Sequence, residues 1–190
     1  MNIRTLSIVL LGSVAVLAAS GSAQAAVTVI GSGPAELCYQ GAENGGEPRD
    51  FIPFCNQALG GLLTTRDRAA TFINRGVLKL SLSESNAALD DFNSGLNIDA
   101  TLGEGFVDRG AAMIALKRFD DAIKDIDKGL SLGAKQPQIA WYDRAMADEA
   151  LGNIPAAYND YQQSLAAEPD FSLASDELKR FKVVKKSDGT

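Results

Sequence analysis

Three stretches of the chain repeat one another at spacings of 34 and then 35 residues. Phe72, Asn74, Arg75 and Gly76 align with Phe106, Asp108, Arg109 and Gly110, and these with Trp141, Asp143, Arg144 and Ala145. The register persists downstream in Ala88, Ala122 and Ala157, in Asp91, Asp125 and Asp160, in Phe92, Ile126 and Tyr161, and in Leu96, Leu130 and Leu165. A period in the thirties is restrictive. Each unit is then one supersecondary hairpin that can bury its apolar face only against its neighbours. Leu89, Phe92 and Leu96, then Ile123, Ile126 and Leu130, then Tyr158, Tyr161 and Leu165 recur at helical spacing on one face of the second helix of each unit. No stretch of the repeats alternates with period two over a strand length, so the predicted fold class is all-α.

The units are expected at about 66–99, 100–134 and 135–169, within a repeat region 65–170. Ser83-Glu84-Ser85 is expected to open the second helix of the first unit with a capping residue. The corresponding turns are Lys117-Arg118-Phe119-Asp120 and Gly152-Asn153-Ile154-Pro155, where Pro155 sits at a helix start and its missing N–H costs nothing.

Residues 1–25 read as an export signal. Arg4 gives a positive start, Leu6 to Ala19 a short apolar core, and Ala23-Gln24-Ala25 the small residues that a signal peptidase reads, so cleavage is expected after Ala25. The core falls short of the roughly 20 apolar residues of a spanning helix. No stable membrane anchor is therefore expected, and the expected location is exported, periplasmic or secreted. The formal net charge is −6, and the leader contains one basic and no acidic residue. Such an acidic chain is not expected to bind nucleic acid, which calls for a clustered basic surface. Histidine is absent from the whole sequence, which removes the commonest general base and the commonest nitrogen ligand for a metal. With no nucleophile motif and no metal cluster, no catalytic, cofactor or metal site is expected, and the chain does not read as an enzyme.

Both cysteines, Cys38 and Cys55, precede the repeats in 26–64. An even count in an exported chain reads as a disulfide, here closing a loop of about 16 residues for about 3 kcal/mol on the chain-entropy model. Two short helices, Ala35 to Ala42 and Asp50 to Gly60, are expected to carry one cysteine each. Gly60 and Gly61 are expected to end the second helix in a left-handed conformation. At the other end, 171–190 breaks the repeat; Phe171, Leu173, Ala174, Leu178 and Phe181 can line one face of a terminal helix covering the last repeat.

Three motifs invite sharper readings. Val27-Thr28-Val29-Ile30-Gly31-Ser32-Gly33 resembles the strand and Gly-x-Gly of a dinucleotide site, but Glu36 occupies the third glycine position and no second strand follows. Asp91-x-Asn93-x-Gly95 and Asp125-x-Asp127-x-Gly129 hint at calcium loops, yet Leu102 and Gln136 stand where the bidentate Glu is required. The pairs Arg75/Asp91, Arg109/Asp125 and Arg144/Asp160 recur in every unit, so they are expected to join the two helices of each hairpin.

With those residues in hand, the repeats resemble the tetratricopeptide repeat family. Its pattern is met by Phe72/Phe106/Trp141, Gly76/Gly110/Ala145, Leu82/Leu116/Leu151, Ala88/Ala122/Ala157 and Phe92/Ile126/Tyr161, with the closing proline only at Pro169. Lys79, Met113 and Asp148 stand where the family usually has Tyr. The resemblance implies a right-handed solenoid of about three helix-turn-helix repeats, with the disulfide-closed hairpin in front and a C-terminal capping helix behind. It also implies a non-enzymatic protein-binding module whose concave face takes an extended peptide or a partner helix. An architectural, self-associating component of a cell-envelope complex, docking through its outer faces or C-terminal helix, is the alternative.

In the family, the first helix of each repeat lines the concave face. Carried over, this gives a candidate groove of Asn74, Val77 and Ser81, of Asp108, Ala111 and Ile114, and of Tyr142, Asp143, Met146 and Glu149. The Lys and Arg of the family's clamp for peptide carboxylates are missing from these places. Asp108, Asp143 and Glu149 imply a protein or peptide partner that is basic or apolar.

Overall fold

The computed structural model describes residues 6–10, 26–29 and 33–185. Two helices, α1 (Pro34–Asn44) and α2 (Pro48–Leu59), form the leading hairpin, and each begins with a proline in its first turn. Three hairpins follow: α3 (Thr65–Ser81) with α4 (Ser85–Ile98), α5 (Gly103–Ala115) with α6 (Phe119–Ser131), and α7 (Pro137–Ala150) with α8 (Ile154–Ala167). The short helix α9 (Ser172–Leu178) closes the array. Each hairpin packs on the next, α4 on α5 and α6 on α7, while the first helices also touch, α3 with α5 and α5 with α7. Burial is accordingly divided into successive local clusters.

Small residues let the two helices of a hairpin approach. A Cβ on Gly76 would stand 2.6 Å from the Phe92 ring, and one on Gly110 2.6 Å from Ile126 Cγ1 and 3.2 Å from the Ala122 carbonyl. The recurring Arg–Asp pairs join those hairpins as expected. Arg75, Arg109 and Arg144 each fork onto Asp91, Asp125 and Asp160 through Nε and Nη2, at 2.6–3.0 Å. The remaining nitrogen of each goes one hairpin back, to Asn56, Asn93 and Asp127. Each guanidinium also lies over the aromatic ring three residues earlier, at 5.5 Å from Phe72, 5.3 Å from Phe106 and 4.5 Å from Trp141. One residue type per repeat thus links helix to helix and hairpin to hairpin. The bonds that Arg144 donates to Asp160 and Asp127 hold its pKa above its ordinary value, against the opposing effect of burial.

The disulfide Cys38–Cys55 joins α1 to α2. Both sulfurs are fully buried, in a cluster with Leu78 of α3, so the bridge also seats the hairpin on the first repeat.

Several local expectations need correction. Ser83 does not cap α4: it takes a left-handed φ of 61° at the end of α3, and Glu84 is the N-cap residue, without a side-chain bond. Ser83 N–H bonds to Leu80 O and Glu84 N–H to Lys79 O, the paired bonds of a Schellman ending. Lys117 and Gly152 occupy the same place in the next two repeats, with φ of 60° and 81°. Gly60, by contrast, is right-handed at φ −78°. The cap that sequence reading overlooked is Thr64, whose Oγ1 accepts from Asp67 N–H at 3.1 Å.

The C-terminal helix covers the last repeat through Ala174, with Phe171, Leu178 and Phe181 packed beside Tyr142 and Tyr161. It is shorter than expected, and Leu173 stays exposed. Beyond it, β2 (Phe181–Lys185) is a strand paired antiparallel with β1 (Leu6–Leu10), Leu6 opposite Lys185 and Leu10 opposite Phe181. Lys182-Val183-Val184-Lys185 suits a pleated ladder better than a helix once a partner strand is at hand. Apart from β1, the expected leader lies outside the described residues. Among the described residues, no helix is long and apolar enough to cross a membrane.

Candidate functional site

The candidate residues all lie on the first helix of their repeat, α3, α5 or α7. Asn74, Asp108 and Asp143 share one register position on α3, α5 and α7; Val77, Ala111 and Met146 share the next. Asn74, Asp108 and Asp143 are buried, at 0, 1 and 3 % exposure. Val77 and Ala111 are buried too, whereas Ile114 and Met146 are half-buried and Ser81 is exposed.

Asn74 has a defined occupant. Its Oδ1 accepts the backbone N–H of Val27 at 2.8 Å, and its Nδ2 donates to the carbonyl oxygen of the same residue at 2.8 Å. One amide thereby satisfies both polar groups of one extended residue, 47 positions away in the chain. Val27 and Val29 are buried in one cluster with Ala70, Ile73 and Val77 of α3 and Ala112 of α5, while Thr28 between them is exposed. Val27 to Val29 therefore lies as an extended segment on the first repeat, with alternate side chains directed into the cluster. Of the Gly-x-Gly motif, Gly31 and Ser32 lie outside the described residues; Gly33 is the residue before α1. The two calcium-like triplets are helical, on α4 and α6.

The acidic positions do not form an open row. Glu149 is paired with Arg180, which also binds Glu177, and it accepts a hydrogen bond from Tyr161 Oη at 3.3 Å. Asp143 is different. Its Oδ2 is buried and meets no donor among the described residues. Burial pushes its carboxyl pKa up to about 7. Asp148, nearby on α7, is likewise raised by burial, against the bond from Asn153.

Tyr142 belongs to the core rather than to the groove. Its register partners are Ile73 and Val107, both buried, and its ring packs on Tyr161 at 5.6 Å and edge-on to Phe171 at 5.7 Å. Burial, reinforced by Glu177, Asp143 and Glu149, pushes its phenol up to about 12. The register alone could have assigned it to the core. Among the described residues no cluster of potential ligands could hold a metal ion.

No family model matches the chain, and no curated protein matches it in sequence. Solved structures do. The first TPR domain of human RPAP3 is 24% identical, with 60% of this chain and 89% of that one covered and a TM-score of 0.57. The first TPR of Spaghetti (RPAP3), solved bound to the HSP90 peptide SRMEEVD, is 24% identical over 63% of this chain and 94% of that one, with a TM-score of 0.57. MamA is 15% identical over 80% of this chain and 82% of that one, with a TM-score of 0.61. Together with the three hairpins and their recurring small and aromatic positions, these likenesses establish that the chain has the tetratricopeptide-repeat fold.

Proposed function

We propose that the protein is a non-enzymatic interaction module that takes an extended peptide on the concave face formed by α3, α5 and α7, in an exported, periplasmic or secreted setting. The observation that carries this reading is the pair of bonds between Asn74 and the Val27 backbone: a side chain of α3 already holds a separate segment by its main chain. The Spaghetti domain bound to an HSP90 peptide supports the same use of the fold. Its peptide is acidic, Ser-Arg-Met-Glu-Glu-Val-Asp. None of the candidate groove positions here is Lys or Arg, so none would pair with the carboxylates of such a ligand. The accessible part of the face is polar at Ser81 and apolar at Ile114 and Met146, which favours an apolar ligand.

Selection of a displayed random-peptide library on the full chain, repeated with Asn74→Ala and Ile114→Asp variants, tests the reading. Enriched peptides should be apolar and should lose binding to both variants. Enrichment of acidic C-termini, or binding indifferent to both substitutions, would refute it. Binding that depends instead on the segment after Asp170 would favour docking through the C-terminal helix.

A further inference from the structure

We propose that the floor of the first repeat around Asn74 is a docking site for extended segments of small and β-branched residues, and that Ala26–Val29 is its resident occupant. The inference rests on the peptide-groove reading and narrows it to one class of ligand. Three observations define that class. Asn74 engages one N–H and one C=O of a single residue, so the ligand is read through its backbone and proline is excluded at that place. Val27 and Val29 are each 4 % exposed while Thr28 faces out, so alternate side chains are apolar and short. Val27 and Val29 share one cluster with Ala70, Ile73, Val77 and Ala112, so the side chains they meet there are aliphatic.

The occupant is tethered to α1 by a few residues, so it competes at high effective concentration. A free ligand binds only the fraction of molecules whose lead-in has left, and its apparent affinity is lowered by that fraction. The site thus selects partners able to displace a weak copy of themselves.

The test uses the full chain and a fluorescein-labelled synthetic peptide with the sequence of residues 25–30, followed by fluorescence anisotropy. Val27→Asp with Val29→Asp should expel the lead-in, and this variant should bind the peptide at least about tenfold more tightly than wild type. Adding Asn74→Ala should return binding to the wild-type level or below, and a peptide with proline in place of the first valine should not bind. If the double variant loses its helical circular dichroism, Val27→Pro, which removes the N–H that Asn74 accepts without burying a charge, replaces it with the same expectations. A helical release variant that binds the peptide no more tightly than wild type overturns the proposal. If that variant ignores this peptide yet binds a library-selected apolar peptide through Asn74, the ligand class is wrong and the groove stands. If it binds neither, both readings fall.

Discussion

Arg109 holds Asp125 with two guanidinium nitrogens, at 2.6 and 3.0 Å, and reaches Asn93 of the preceding hairpin with the third, at 2.9 Å. Both side chains of the pair are mostly buried. Arg109→Met should therefore lower stability by about 1.5–3 kcal/mol, the usual worth of bonds to charged groups. Arg109→Lys should recover only part of it, because an ammonium cannot make the fork. Denaturant unfolding of both variants checks this, and equal stability of the Lys variant and wild type would show the fork to be dispensable.

Gly110→Leu should be among the most damaging single changes. Its Cβ alone would meet Ile126 Cγ1 at 2.6 Å and the Ala122 carbonyl oxygen at 3.2 Å. Overpacking of this kind costs about 1–3 kcal/mol. Thermal melting at the wild-type temperature would be incompatible with the packing of α5 on α6.

Lys117 should be improved by glycine. It holds φ of 60° at the turn where the third repeat uses Gly152. The left-handed penalty of an ordinary residue outweighs the extra chain entropy of glycine, so Lys117→Gly should gain about 0.5–1 kcal/mol. A destabilised variant would mean that Lys117 contributes more through its side chain than it loses through its backbone.

Much of this architecture was legible because it recurs. Three copies of Phe/Trp, Arg, Gly/Ala and Asp gave the hairpins, their register and the Arg–Asp joints, and two cysteines in an otherwise cysteine-free chain gave the leading staple. Features that occur once were harder. The bond between Val27 and Asn74 joins residues 47 apart with no periodic signal, and Val-Thr-Val-Ile reads equally well as a strand in search of a sheet. The left-handed turns were hidden at Ser83 and Lys117, since only Gly152 advertises that conformation. Tyr142 was misplaced for an avoidable reason: alignment with Ile73 and Val107 marks its position as core.

Asp143 should make stability depend on pH. Its carboxyl pKa is raised by burial to about 7, whereas an exposed Asp titrates at about 4. Between those values the folded chain keeps a proton that the unfolded chain has lost, so stability falls as pH rises through this window and levels off above it. Asp143→Asn places in the third repeat the residue that the first already uses and removes the ionisable group, so its stability should stay level across the window in which the wild type falls. Urea titrations of both proteins across the window read the difference, and identical pH profiles would show that Asp143 finds a partner when ionised.

The resident segment is tested most directly by amide hydrogen exchange at Val27. Its N–H is bonded to Asn74 Oδ1 in a buried place, so in the intact protein it should exchange far more slowly than the same residue in a free peptide. Asn74→Ala should return Val27 toward the free-peptide rate while the amides of α5 and α6 keep their protection. Exchange at the free-peptide rate in the wild-type protein would mean that the first repeat does not hold an extended segment, and would contradict the account at its centre.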